Sequence, residues 1–365
     1  ALGAGTVVAL LLVVGQIEAR MGRDARGIDL VVGAKGSPLQ LILSGIYHAD
    51  APTGNVPLAT VELLRKNRMV QRAMPLALGD SWRGYRIVGA EKEYLEHYAA
   101  KFSSGKMFEK SMDAVLGHEV AARTGASVGA RFAGAHGVGG EGAEHEEAYT
   151  VVGVLESTGS VIDRLVLTSI ESVWEVHHDQ GGKGEREVTV VLVQYASPLA
   201  AAMLPRQINA KSELQAASPA YETARLFRIV GAGVEALRAF AAVLMLAAGL
   251  SVFIALYTAL EERRYDLAVM RTLGASPARL FGLLLAEGLV LALAGAVLGL
   301  ALGHGLAAAL GVWLEAQQQV AVSGLVWLPE ELWIVAVALG VGLAAALLPA
   351  WRAYRTDVAG TLSRG

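Results

Sequence analysis

The chain has 365 residues, of which 54% are hydrophobic and only 18% charged, an apolar excess over ordinary soluble domains. A formal net charge of −3 leaves no basic footprint for nucleic acid. With no cysteine, disulfides, thiol catalysis and Cys-ligated zinc are excluded.

In chain order, residues 1–17 are uncharged until Glu18, which predicts a first membrane helix over 1–18. Neither a basic n-region nor an A-x-A site accompanies it, so it reads as an uncleaved span. The opening without Met suggests a span truncated at its start. Residues 19–218 read as a water-exposed, mixed α+β domain. Alternating or β-branched runs predict strands at 86–88, 149–155, 164–168 and 187–195, and helical spacing predicts helices at 58–67, 112–124 and 198–215. The Gly-rich stretches 134–142 and 181–184 read as loops, and "HHDQGGKGE" at 177–185 as a hairpin tip. Ser218-Pro219 supplies an N-cap and a first-turn proline for a stalk and second span over 219–260, although Gly231 and Gly233 weaken its continuity. A charged segment at 261–276 precedes a third span at 277–310. A loop at 311–330, a fourth span at 331–353 and a tail at 354–365 complete the chain.

Arginine placement orients these spans. Arg263, Arg264, Arg271 and Arg279 lie between the second and third spans, and Arg352, Arg355 and Arg364 follow the fourth, whereas 311–330 holds no Lys or Arg. The positive-inside rule puts the arginine-bearing segments in the cytoplasm and residues 19–218 outside, in the periplasm of a bacterium with two membranes. The expected fold class is an α+β membrane protein, with four transmembrane helices and a large mixed α+β periplasmic domain between the first and second.

Catalytic motifs fail on context. No G-x-x-x-x-G-K-[ST] phosphate loop occurs, and "GAKGS" at 33–37 has the wrong order and spacing, so ATP hydrolysis is expected in a partner chain. "GASVG" at 125–129 follows a helical pattern rather than a strand, against the nucleophile-elbow reading. "HEVAAR" at 118–123 lacks the second histidine of H-E-x-x-H. The chain is expected to be non-catalytic.

Two other patterns stand out. "HGVGGEGAEHEE" at 136–147 brings two imidazoles and four carboxylates within 12 residues. The spacing matches no standard motif, which favours a solvated, mobile loop; in the alternative reading His136, His145, Glu141 and Glu144 are the candidate ligands for a divalent metal, zinc or a similarly borderline ion. Gly295, Gly299 and Gly303 form a G-x-x-x-G-x-x-x-G face, suited to close helix packing within one subunit or across a dimer. Glu287, the one charge of the third apolar run, is expected near the cytoplasmic headgroups, within reach of Arg271, Arg279 or water, with a buried functional carboxylate as the alternative.

The segment "EERRYDLAVMRTLGASPARL" at 261–280 carries an apolar stripe of Leu267, Met270 and Leu273 with charges on its other faces. Gly274 suits a left-handed helix end, and Ser276-Pro277 a new helix start. This predicts a short amphipathic helix on the inner membrane surface.

The run "ERRYDLAVMRTLGASPARLFGLLLAEGLVLALAGAVLGLALG" at 262–303 resembles the signature region of FtsX-like ABC-transporter permeases. "AVLGHEVAARTGASVGARF" at 114–132, with "YTVVGVL" at 149–155, resembles the MacB-type periplasmic core domain. The resemblance implies an inner-membrane, multi-pass permease of the mechanotransmission class. It would be paired with a second permease, identical or not, and with a cytoplasmic ATPase that binds ATP and Mg. Motion rather than a conduit would serve export or extraction of lipoprotein, hydrophobic or peptide cargo, with a periplasmic partner and a metal-linked role as further options. The resemblance places the ATPase-coupling helix at 262–275, with contacts from Glu262, Arg263, Arg264, Asp266, Met270, Arg271, Gly274 and Ala275. The alternative implied role is a regulatory scaffold that controls a periplasmic enzyme without transport. The acidic His-bearing loop and "YHADAPTGN" at 47–55 depart from the general family pattern.

Overall fold

The computed structural model describes residues 1–137, 144–177, 186–318 and 322–355. The chain divides into two compact units, one of Ala1–Glu18 with Ile229–Gly365 and one of Ala19–Arg228.

In order, the elements up to the second apolar helix are α1 (Leu2–Asp24), β1 (Leu30–Ala34), α2 (Pro38–Gly45), β2 (Val56–Pro57), α3 (Leu58–Lys66), β3 (Val70–Trp82), β4 (Tyr85–Ala90), α4 (Lys92–His97), β5 (Phe102–Gly105), β6 (Asp113–Leu116), α5 (His118–Thr124), β7 (Arg131–His136), β8 (Glu144–Leu155), β9 (Val166–Thr168), α6 (Ile170–Val176), β10 (Glu187–Val188), β11 (Val190–Tyr195), α7 (Pro198–Lys211) and β12 (Leu214–Ala217). Four helices follow: α8 (Pro219–Glu262), α9 (Arg264–Thr272), α10 (Pro277–Gln318) and α11 (Glu331–Tyr354).

One half of the α+β unit is layered. Strands β12, β1, β11 and β3 lie side by side. Side chains of a strand alternate between faces, so β1 sends Val31 to one core and Leu30 with Val32 to the other. Leu41 and Ile42 of α2 cover the first face, and Val61 and Leu64 of α3 with Leu204 of α7 cover the second. Strands buried on both faces read as continuous apolar runs, which is why "VVLVQY" shows little alternation.

The other half is a closed ring. Strand β3 pairs with β4, β4 with β9, β9 with β6, β6 with β8, β8 with β7, and β7 returns to β3. Closure removes the open edges a small sheet would otherwise expose. Ile87, Leu116, Phe132, Tyr149 and Val166 form part of this half's core, where Trp82 stacks on Phe132 at 4.3 Å.

Two helix expectations are corrected. Residues 113–116 form strand β6, and only His118–Thr124 of the expected 112–124 helix is helical. A short apolar run such as "DAVL" fits either period, and pairing on both sides, with β8 and β9, decides for strand. The expected 198–215 helix ends at Lys211, and Leu214 and Gln215 pair with β1 as part of β12. Gly134 lies in strand β7 rather than in a loop. Residues 178–185 and most of the 134–142 loop lie outside the described residues, while His177 caps α6 instead of a hairpin.

In the other unit, α1, α8, α10 and α11 are each long and apolar enough to cross a membrane. At 44 and 42 residues, α8 and α10 reach about 66 and 63 Å at ~1.5 Å per residue, roughly twice a ~30 Å hydrocarbon core. Gly231 and Gly233 do not interrupt α8. Small residues set the helix seams. A Cβ on Gly303 would lie 2.5 Å from that of Val8, one on Gly299 2.8 Å from that of Ala4, and one on Gly288 2.5 Å from that of Ala346. Gly299 and Gly303 therefore make their close approach within the chain, against α1, while among the described residues Gly295 has only the Ala1 nitrogen at 3.9 Å.

Candidate functional site

Four polar side chains converge at the end of the strand ring where β3, β7 and β8 meet. Asp80 and His136 are cross-strand partners in β3 and β7. Two irregularities aim the side chains. From Leu78 to Ser81, three steps along β3 face two along β4, Val88 to Arg86, so Gly79 and Asp80 lie in a bulge. From Ala135 back to Ala133, two steps along β7 face four along β8, Glu144 to Ala148, so His145 also lies in a bulge. The fourth residue, His177, is the C-cap of α6, where its Nδ1 lies 2.9 Å from the Val173 carbonyl. Gly79 leaves room for this ring, since a Cβ there would come within 3.3 Å of His177 Nε2.

Asp80 is only 2% exposed, and its Oδ1 faces three imidazole nitrogens: His145 Nε2 at 3.2 Å, His136 Nδ1 at 3.4 Å and His177 Nε2 at 3.4 Å. One ligand atom from each of the four residues can be drawn so that all lie within 4.8 Å of one another. Asp80 Oδ2 is buried without a hydrogen-bond partner among the described residues. Burial works to raise the Asp80 carboxyl pKa, but hydrogen bonding and charge from His177 and His145 outweigh it and hold it below the usual value. The Asp80 contact in turn raises His177, against its partial burial.

The sequence pattern had paired His136 and His145 with Glu141 and Glu144. The structure brings the two histidines together, with their ring centroids 4.2 Å apart. Glu141 lies outside the described residues, as does the Glu144 side chain. Asp80 and His177 were missed because only strand register and helix docking bring them here.

The second candidate surface is α9. Leu267 and Ala268 are buried, Leu267 in a cluster with Leu260, Leu280, Leu284, Ala350 and Ala353. This packing joins α9 to the end of α8, the start of α10 and the end of α11. The expected stripe is only partly buried: Leu273 is 82% exposed, and Met270 and Tyr265 are exposed as well. Glu262, Arg263, Arg264 and Asp266 are exposed beside them, and Arg271 is half-buried. The helix ends in a Schellman motif: Ala275 N–H donates to Met270 O at 3.0 Å and Gly274 N–H to Arg271 O at 3.2 Å, with Gly274 at φ +100°. The Ser276 Oγ then accepts from Arg279 N–H at 3.3 Å, capping α10. Glu287 is half-buried, and the ion pairs among the described residues include none between it and Arg271 or Arg279.

At the other end of the helix bundle, His304 Nε2 lies 3.0 Å from Glu331 Oε2 and its Nδ1 2.6 Å from the Gly324 carbonyl. Gln16 and Ser323 exchange two hydrogen bonds of 2.8 and 2.9 Å there.

Two family matches together span nearly the whole chain. The MacB-like periplasmic core domain matches residues 1–211, and the FtsX-like permease C-terminal region matches residues 238–358. The chain belongs to the FtsX-like ABC-transporter permeases with a MacB-like periplasmic core domain. It is therefore a membrane permease component, of a kind that is generally non-catalytic. No curated relative matches it. Among solved structures, the periplasmic region of MacB from Actinobacillus actinomycetemcomitans is 12% identical, with a TM-score of 0.37 over 56% of this chain and 95% of that one. The extracellular domain of the noncanonic ABC-type transporter YknZ, from Gram-positive bacteria, is 14% identical, with a TM-score of 0.32 over 52% and 98%. A permease-protein domain from Porphyromonas gingivalis is 17% identical, with a TM-score of 0.31 over 52% and 89%. At these scores the likeness adds nothing to the family assignment.

Proposed function

We propose that this permease transmits ATP-driven motion from a cytoplasmic ATPase to its periplasmic domain, and that α9 is where the ATPase docks. The observation that carries this reading is the division of α9 into two faces. Leu267 and Ala268 anchor it to the ends of three long helices, while Tyr265, Met270, Leu273 and the adjoining charges are left exposed. A helix rooted in this way passes a push on its outer face to α8, α10 and α11 together. The arginines of α9 and of the end of α11 lie at the same end of the bundle, which supports a cytoplasmic position by the positive-inside rule. Residues 1–365 hold no phosphate loop, so the ATPase lies outside them.

The Gly288–Ala346 and Gly303–Val8 seams are packed at backbone contact, which favours motion over a conduit through one subunit. The cargo class that fits a periplasmic domain worked from below is a lipoprotein, hydrophobic molecule or peptide handled at the outer membrane-water boundary. A second permease copy, identical or related, completes the complex in this reading.

Charge reversal tests it. In the reconstituted complex, Arg264→Glu and Arg271→Glu should each lower ATPase association or coupled ATP hydrolysis by at least 10-fold, since like charges facing a partner cost several kcal/mol. Unchanged pull-down and hydrolysis in both variants would remove α9 as the docking element.

A further inference from the structure

We propose that Asp80, His136, His145 and His177 form a mononuclear binding site for a divalent first-row transition-metal ion with the preferences of zinc. The first argument is geometric. In a tetrahedral site with bonds of about 2.05 Å, neighbouring ligand atoms are separated by about 3.3 Å. The three distances from Asp80 Oδ1 to the histidine nitrogens, 3.2, 3.4 and 3.4 Å, match that edge length. One vertex of the tetrahedron and its three edges are thus already in place.

The second argument concerns protons. A carbonyl oxygen only accepts, so His177 Nδ1 must donate to Val173 O. That leaves Nε2 as the ring nitrogen turned towards Asp80 Oδ1, 3.4 Å away. A metal-binding histidine commonly donates its other ring N–H to a backbone carbonyl, as His177 does. The bound cation would face the carboxylate whose Oδ2 lacks a partner among the described residues and whose burial is otherwise costly.

The donor set names the class of ion. Three imidazoles and one carboxylate suit zinc and its neighbours, whereas calcium and magnesium take mostly oxygen ligands. Four protein ligands close a tetrahedral shell, which points to a structural, sensing or carrying role rather than hydrolysis. His136 at 36% and His177 at 28% side-chain exposure give the ion a way in, while Asp80 and His145 form the floor. When bound, the ion would join the β7–β8 pair to strand β3 and to the end of α6, both distant from it in sequence.

The test uses the full chain in detergent, carrying a tag without histidine, stripped with a chelator and titrated with zinc against a chromophoric competitor. One zinc per chain is expected, and Co2+ in its place should show the strong visible bands of a four-coordinate site. His136→Ala, at the rim, should bind zinc at least 10-fold more weakly, Asp80→Ala should abolish binding, and the exposed His118→Ala should match the parent. Circular dichroism establishes that His136→Ala keeps its fold, so the result stands even where Asp80→Ala does not fold. Absence of a stoichiometric zinc in the parent, or unchanged affinity in a folded His136→Ala, would overturn the proposal. Neither readout depends on an ATPase.

Discussion

Asp80 and His136 face each other across β3 and β7, and the carboxylate oxygen lies 3.4 Å from the imidazole nitrogen. A bulge at Gly79-Asp80 aims one side chain, and the last residue of β7 supplies the other. Gly79 also sets the space for His177, since a Cβ there would stand 3.3 Å from its Nε2. Gly79→Ala should therefore weaken zinc binding by about 10- to 100-fold, the range for residues that orient metal ligands. Competition titration measures this, and an unchanged affinity would show that His177 is not held by that contact.

His48 gives the periplasmic domain an acid sensitivity. Its ring is fully buried, with Nε2 3.4 Å from the Tyr94 hydroxyl, and burial with the nearby charges of Arg86 and Arg164 lowers its pKa to about 3. The folded pKa lies below the unfolded value of about 6.5, so between the two the unfolded chain binds the extra proton. Its contribution is complete above about pH 6.5 and declines as pH falls towards 3. At pH 5 the loss is about 2 kcal/mol. Thermal melts at pH 7 and pH 5 should show the drop, and His48→Asn should reduce it, because asparagine tolerates the left-handed backbone at φ +53°.

The glycine seam makes a sharper mutational contrast. Gly303→Leu drives a side chain into Val8 and the Gly5 carbonyl, whereas Gly305, two residues on, has nothing among the described residues within 4 Å of its Cβ position. Overpacking of this kind costs about 1–3 kcal/mol or more. Gly303→Leu should lower the melting temperature of the purified protein, and Gly305→Leu should leave it unchanged.

On α9 the two faces should separate stability from coupling. Leu267→Ala empties a buried position and should cost about 2–3 kcal/mol, seen as a lower melting temperature. Leu273→Asp, on a residue 82% exposed, should leave the melt unchanged and remove ATPase co-purification. Equal effects on melting from both variants would contradict the two-faced assignment.

The membrane helices were legible because length and lack of charge suffice to identify them. So was the corner at Gly274, whose Leu-Gly-Ala-Ser-Pro run encodes a Schellman end and a capped start locally. Strand β3 was not legible: Pro75 and the Gly79-Asp80 bulge break its alternation, although it is central to the sheet. The cluster of Asp80 with three histidines was half legible. His136 and His145 share one stretch of sequence, but reasoning by nearness in sequence joined them to Glu141 and Glu144. Asp80 joins them through the register of β3 with β7, and His177 through the docking of α6, neither of which has a local signature. The exposure of Leu273 was hidden for a related reason, since an apolar stripe marks a contact face without saying whether this chain or another covers it.

The most direct test of the coupling role is a photo-crosslinking residue placed at position 273 in native membranes. The account predicts an adduct containing a chain with a phosphate-binding loop, and none from position 282, on the neighbouring helix, where nothing among the described residues lies within 4 Å of the Cβ position. An ATPase adduct absent from 273, or equally strong from both positions, would contradict it.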